Sequence, residues 1–481
     1  MKNVLGKKWH VLFILVLLAG ACKKDFLNVP DNSYPLRQSY VTDLKTTEDY
    51  LNGIYLELAS YFYHGYAIIY PDLIADNVKP VTGSNALMPH YSWAQQSDEE
   101  VSNIISPEGL NMNPSWFAGY RIAGDCSFVI ESADRYRAEN EEKADNLKGQ
   151  ASALRALVHA ALVNVFSQPY NFTADASHPG IPYITSSDWT KVFSRATVAA
   201  VYDHMIADLG DAIRLLPTGS DNVLMMTGNA AKALLARIYL YKGDFQAAKD
   251  LATAVAAITP LMKMPDYPAK LFTAEETEAL FQLPPAWGGA GSGNYYTYFA
   301  GLYFDPSFQQ FVATGDIASV LKESPADARN VWVAQDGENW NVTKYPGGAI
   351  DGFPLPSLSY YHTILRSSEM FLVAAESYAK LSQEDSARVF LDMVRKRADP
   401  GAPATIGTGQ ALLDAIHKEW RKEFAFEGHR MFDLLRWNKN VYREDASIPV
   451  AKELIYPSNK AIAPIPATDV NLSGLPQNSG Y

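Results

Sequence analysis

Apolar residues recur every three or four positions over most of the chain, the spacing of helices that bury one face. Leu51, Ile54, Tyr55 and Leu58 predict a helix over residues 46–60. The same pattern predicts helices over 116–136, over 141–166 (rich in Ala and Leu) and over 198–216, the last stopping at Pro217. A proline pushes the residue before it out of the helical region. The clearest unit spans 229–258: an amphipathic run from Ala230 to Tyr241, a tight turn at Lys242-Gly243-Asp244, and a second run from Phe245. Gly243 suits the left-handed conformation that ends a helix. Residues 370–397 repeat the plan, with Ala374-Ala375 and Tyr378-Ala379, a turn at Ser382 to Asp385, then Ala387 to Val394.

Both hairpins resemble tetratricopeptide units, in which small residues such as Ala236 and Ala248 let paired helices approach. Two legible repeats are fewer than a stable stack needs, so the earlier helices are expected to supply further pairs. Between the hairpins, residues 260–360 lose helical periodicity while Pro and Gly recur. Long irregular stretches inside a compact protein are usually functional. Residues 287–304 place seven aromatics in eighteen positions, interleaved with glycines, and Trp332, Trp340 and Tyr345 follow.

The first residues carry a different pattern. Lys2, Lys7 and Lys8 precede the apolar run Val11 to Leu18, then Ala19-Gly20-Ala21 and Cys22. The run falls far short of the roughly 20 residues that span a bilayer and fits the core of an export signal over residues 1–21. A cysteine directly after small residues resembles a bacterial lipoprotein signal, in which the thiol receives a diacylglycerol. Cys22 is therefore the expected lipid attachment point. Residues 22–37 are polar, with Pro30 and Pro35, and read as a tether.

Composition narrows the function. With 41 basic and 53 acidic residues the net charge is −12, which excludes a nucleic-acid partner, because phosphates require a basic surface. Cys22 and Cys126 are the two cysteines, too few for a disulfide scaffold or a cysteine metal site; Cys126 sits in a helix-like run and reads as a buried small hydrophobe. The Gly289-Ala-Gly291-Ser-Gly293 run lacks phosphate-loop spacing and a following lysine. Metalloprotease and serine-hydrolase motifs are absent, and the nine histidines show no pair at metal-ligand spacing. Acidic pairs such as Glu275-Glu276 read as solvated faces. No catalytic residue, metal or cofactor is expected. The aromatics are the better lead: a pyranose offers an apolar face to rings and a hydroxyl rim to Asn, Asp and Arg, on loops held by a rigid scaffold.

The last third carries the most specific pattern. Glu419-Trp-Arg421-Lys-Glu423-Phe-Ala-Phe426-Glu427-Gly428-His-Arg430-Met-Phe432-Asp433-Leu434-Leu-Arg436-Trp, then Pro464-Ile465-Pro466 with Asn471, and the closing Gln477-Asn478-Ser-Gly480-Tyr481, resemble the signature of SusD/RagB-type nutrient-binding lipoproteins. Asp25-Phe26-Leu27, Asp72-Leu73 with Asp76-Asn77, Arg155-Ala156 with Leu162-Val163, and Arg195 through Asp208-Leu209 to Leu216-Pro217 agree with it. Ser167-Gln168-Pro169 departs from it; a glycine and a more widely spaced proline are common there.

The resemblance implies a mainly α fold, with about four tetratricopeptide-like hairpins packed against an irregular, loop-rich ligand-binding half. Residues 22–225 and 226–481 would form one compact fold. It also implies a protein facing outward from the outer membrane, capping a SusC-like TonB-dependent transporter as a lid. The expected ligand is a glycan. The alternative is an oligopeptide, since RagB-like members resemble peptide binders and helical-repeat grooves suit peptides. The expected site lies where residues 76–93 meet the aromatic loop 287–304, helped by 332–345. Trp93, Trp287, Tyr296 and Trp340 are candidates for stacking, and Asp76 and Asn77 for hydroxyl contacts. Read on their own chemistry, Glu423, Glu427, Arg430, Asp433 and Arg436 have helical spacing and are expected to pair across the turns of one helix.

Overall fold

Five of the long helices begin where a polar side chain, of Asp43, Asn140, Thr197, Thr227 or Asp244, takes up a free backbone N–H. The computed structural model describes residues 37–63, 66–96, 111–217, 219, 222–284, 301–304, 309–345, 349–350, 353–354 and 360–481. Residues 1–42 form a unit of their own, of which the described part is one helical turn, Arg37–Tyr40. Residues 43–481 form the other unit.

Helix α1 (Leu44–Glu57) opens on a reciprocal cap between Asp43 and Thr46 and runs on into a wider π turn, Leu58–Phe62. Helix α2 is Tyr66–Leu73. The longest elements are α3 (Asn113–Arg135) and α4 (Glu141–Phe166), followed by α5 (Val198–Leu215). They pack closely because glycines stand at the crossings. A Cβ on Gly119 of α3 would come within 2.9 Å of Leu162, and one on Gly149 of α4 within 2.9 Å of Leu216. Arg155 of α4 then forks onto Asp208 of α5 at 2.6 and 2.7 Å, and the Tyr183 hydroxyl donates to the same carboxylate at 2.7 Å.

The two hairpins read from the sequence are present. Helix α6 (Gly228–Lys242) ends at Gly243, at φ 85, and α7 (Phe245–Ile258) starts from Asp244, whose carboxylate accepts from Ala247 N–H at 3.1 Å. Helix α8 (Gly315–Leu321) is short. The second hairpin is α9 (Ser367–Lys380) and α10 (Glu384–Ala398), turning at Ser382 with φ 60. Arg237 of α6 and Glu369 of α9 join the two hairpins through contacts of 2.5 and 2.6 Å. The architecture is mainly helical. Cys126 is fully buried in α3, and burial raises its thiol pKa, so it behaves as the inert core residue expected. Among the described residues, no helix is long and apolar enough to cross a membrane.

The region between the hairpins, where helical periodicity fails, is built on short strands. Strand β1 (Val78–Pro80) pairs antiparallel with β3 (Phe311–Ala313), β3 with β5 (Asn339–Val342), and β5 with β4 (Val333–Asp336). A separate pair, β2 (Ala279–Leu283) with β6 (His362–Arg366), leads directly into α9. Beside β2 lies a correction to the sequence reading. Glu275 is exposed as expected, but Glu276 is buried, and burial pushes its carboxyl up to about 7. It accepts from Phe272 N–H at 2.7 Å and from the Thr363 hydroxyl at 2.7 Å. The local sequence gave no sign of this, because the residues that enclose Glu276 lie up to 87 positions away.

Candidate functional site

The signature block 419–437 does not form one helix. Helix α11 (Gly409–Glu423) ends, six residues follow with Phe426 at φ 69 and Gly428 at φ 80, and α12 (Arg430–Arg436) starts in a new direction. Gly428 is required for more than its backbone angle, since a Cβ there would stand 3.0 Å from the Ile68 carbonyl oxygen. Of the pairs expected across turns, Asp433–Arg436 forms, at 2.8 Å. The other charges reach across the fold instead.

Glu423 accepts from Arg366 and Arg397 at 2.6 Å each and from Arg329 at 3.0 Å. Arg329 also holds Glu419 at 2.6 Å and Asp327 at 2.9 Å. Glu427 takes Arg366 at 2.7 Å and Lys344 at 2.5 Å, while the Lys344 ammonium donates to the carbonyls of Glu423 and Ala425 at 2.9 Å. Burial opposes ionisation of Glu423, but Arg397, Arg366 and Arg329 outweigh it and hold the carboxylate well below its usual range. Burial lowers Lys344 to about 8. Every charge of this buried ionic lattice has an opposite charge beside it, though Arg397 Nε itself has no hydrogen-bond partner.

Asp76 and Asn77 belong to the same scaffold. Asp76 receives a bidentate Arg430 at 2.6 and 2.8 Å, with Arg421 at 3.3 Å. Burial alone would raise its pKa; Arg421 and Arg430 reverse this and hold it below the usual carboxylate range. Asn77 donates to Asp72 at 2.6 Å and accepts from Arg421 at 2.9 Å. Asp72 in turn accepts from Gly428 N–H at 2.7 Å, and burial pushes it up to about 6. The polar atoms expected to meet hydroxyls are thus spent on the turn of the signature block.

Trp93 is likewise inside, at 7% exposure. Its indole N–H donates to the Ile74 carbonyl at 3.2 Å, and the Arg443 guanidinium lies 4.2 Å from its ring and 4.1 Å from that of Tyr91. Arg443 donates to the carbonyls of Leu73, Ala75, Tyr91 and Ala451, tying itself to three stretches of chain. Trp93 therefore packs against a buried cation, and the expectation that it stacks on a ligand is corrected on that ground. Among the other rings, Trp332, Tyr345 and Tyr303 are core residues: Lys344 sits 3.7 Å from the Trp332 ring, and the Tyr345 hydroxyl donates to the Phe426 carbonyl at 2.6 Å. Trp287 and Tyr296, like Cys22, lie outside the described residues.

Trp340 is different. It is half-buried on β5, and one row of the sheet runs Val78, Ala313, Trp340, Gln335 from strand to strand. Residues 78–80 and 339–342 lie on either side of β3; residues 287–300 of the aromatic loop, which residues 76–93 are expected to meet, lie outside the described residues. Lys322 approaches the Trp340 ring at 5.5 Å. Gln309 donates to Asn341 at 2.8 Å beside it, and Ser84 donates to Gln310 at 2.8 Å at the β1 end. Gln335, Asp336 and Asn339 are exposed on the β4–β5 hairpin. These polar groups were passed over in the sequence. The signal was Asp336-Gly337, a hairpin turn dipeptide, and Gly337 adopts φ 58 in the two-residue loop. Rings and amides on a sheet edge, backed by a rigid lattice, can bind a neutral hydroxylated ligand; among the described residues no group of His, Cys, Asp and Glu is arranged to hold a metal.

The chain is a mainly helical scaffold carrying a small antiparallel sheet, and comparison with known proteins fixes the family. Residues 45–240 match a SusD-like family model described as starch-binding associating with outer membrane, and residues 357–481 match the SusD family model. The chain belongs to the SusD/RagB-like family. It is 24% identical to SusD-like protein P2 of Formosa agariphila over 99% of this chain and all of that one. It is 30% identical to the starch-binding protein SusD of Bacteroides thetaiotaomicron over 29% of this chain and 26% of that one. A SusD superfamily protein from Bacteroides vulgatus superposes with a TM-score of 0.79 at 26% identity, over 91% of this chain and 99% of that one.

Proposed function

We propose that this protein is a cell-surface lipoprotein that captures an oligo- or polysaccharide and passes it to a SusC-like TonB-dependent transporter, without transforming it. The observation that carries this reading is the row through Trp340, which sets a half-buried indole beside Gln335 on the edge strand and near the Gln309–Asn341 amide pair. The match to a family model described as starch-binding supports a carbohydrate, and a sugar's apolar face and hydroxyl rim suit rings flanked by amides. The helical hairpins would meet the transporter, leaving the loop-rich half for ligand.

A glycan array run beside a peptide pool tests the ligand class, with a hydrolysis assay on every binder. Binding to glycans without product formation is expected; binding to peptides alone would replace this reading with the oligopeptide one. Anchoring is tested separately. Cys22→Ala should release the protein from the outer-membrane fraction or stop its processing, because several acyl chains hold a protein stably where one does not. A variant that still fractionates with the outer membrane, together with an unacylated cysteine in the wild type, would refute the anchor.

A further inference from the structure

A cavity at the end of α4 lies on the helical half, away from the sheet. Ser167 caps the end of α4 in an extended conformation and lines a cavity of about 20 Å³. Tyr202 of α5, Tyr241 of α6 and Arg436 of α12 also line it, together with Asn164 and Tyr170. None of its lining residues belongs to the sheet or to the loops of the site proposed above. The Ser167 hydroxyl is buried and has no partner within the protein. A buried hydroxyl left unpaired is costly, and natural structures keep such groups rarely. A cavity of this size admits one water-sized group, and it widens to about 290 Å³ when its solvent-open mouth is counted.

The surroundings select the chemistry of what enters. Arg436 is already committed to Glu376 at 2.5 and 2.9 Å and to Asp433 at 2.8 Å, so it has little charge to spare for an anion. A cation would meet Lys242, 5.8 Å from the Tyr170 ring, and Arg436, 5.3 Å from the Tyr241 ring. A purely apolar group would leave the Ser167 hydroxyl unpaired. The partly exposed Tyr170 ring stands edge to face with the buried Tyr202 ring at 4.9 Å, so Tyr170 is the ring a ligand at the mouth could touch.

We propose that this cavity is a second carbohydrate subsite: a neutral sugar rests against Tyr170 at the mouth and inserts one hydroxyl group to bond Ser167 Oγ. The proposal rests on the glycan-binding reading above and extends it to the helical half. A second contact on one long polysaccharide would raise avidity without strengthening the first site.

The test uses the full mature protein. Crystals are soaked separately with glucose, galactose, mannose and xylose, and the affinity of an array-positive polysaccharide is compared between wild type and Ser167→Gly. Glycine is tolerated by the extended backbone, so an unchanged melt is expected and serves as the folding control. A sugar hydroxyl bonded to Ser167 Oγ is expected with at least one monosaccharide. Affinity for the polysaccharide should fall about threefold to tenfold in Ser167→Gly, the range for one lost neutral hydrogen bond. Water alone in the cavity with all four sugars would overturn the proposal. So would sugar density with no change in solution affinity, which would be binding at crystal concentration only. If no glycan on the array binds, the reading under Proposed function fails, whereas the soaks judge the cavity independently.

Discussion

Replacing Glu423 by alanine is expected to cost about 3–5 kcal/mol of stability, the range for removing one partner of a buried ion pair. The reason is what remains behind. Arg366, Arg397 and Arg329 all converge on this one carboxylate, and each is almost entirely shielded from water. Without it, three guanidiniums face one another with Glu278, Asp327, Glu419 and Glu427 as their remaining counter-charges. Chemical denaturation of Glu423→Ala and Glu423→Gln beside wild type measures the effect, and glutamine should recover part of it by keeping hydrogen-bond acceptance. The sign with pH follows from the depressed carboxylate pKa. Its contribution is fully present above the unfolded value of about 4.3 and is lost only as the pH falls through the lower folded value. Wild type and Glu423→Gln should therefore converge in stability in strong acid and diverge toward neutrality. An alanine variant as stable as wild type at neutral pH would show that the lattice is dispensable.

The second large effect is expected on binding. A double change of Trp287 and Tyr296 to alanine should weaken glycan affinity at least tenfold, taking roughly 1–3 kcal/mol per productive ring by analogy with base stacking. The thermal melt should change little, because the described core closes without them. Trp340→Ala should weaken binding in the same direction, since Trp340 is only half-buried on β5. Trp93→Ala is the contrasting control. It removes a ring packed on Arg443, so it should lower stability and leave the affinity of the surviving folded protein unchanged. Equal losses of affinity and stability in the Trp287 and Tyr296 variant would identify those rings as packing.

Local chemistry reached a long way into this protein. The period of apolar residues determined α3 to α7 and the α9–α10 hairpin, because a helix buries the face its own sequence supplies. Gly243 marked a helix end, since a left-handed turn admits glycine at little cost. The signature block determined the family through residues whose identities are legible one by one. What those residues do was decided only by the tertiary structure. Asp76 and Asn77 look like surface hydroxyl binders until Arg421 and Arg430, some 345 and 354 positions later, arrive to take their oxygens. Trp93 looks like a platform until Arg443 covers it, and Glu276 looks solvated until the pairing of β2 and β6 encloses it. Charges and rings carry no record in the sequence of which side of the fold they will face. Their partners are chosen by long-range packing, and that choice separates a residue that holds the scaffold from one left free to meet a ligand.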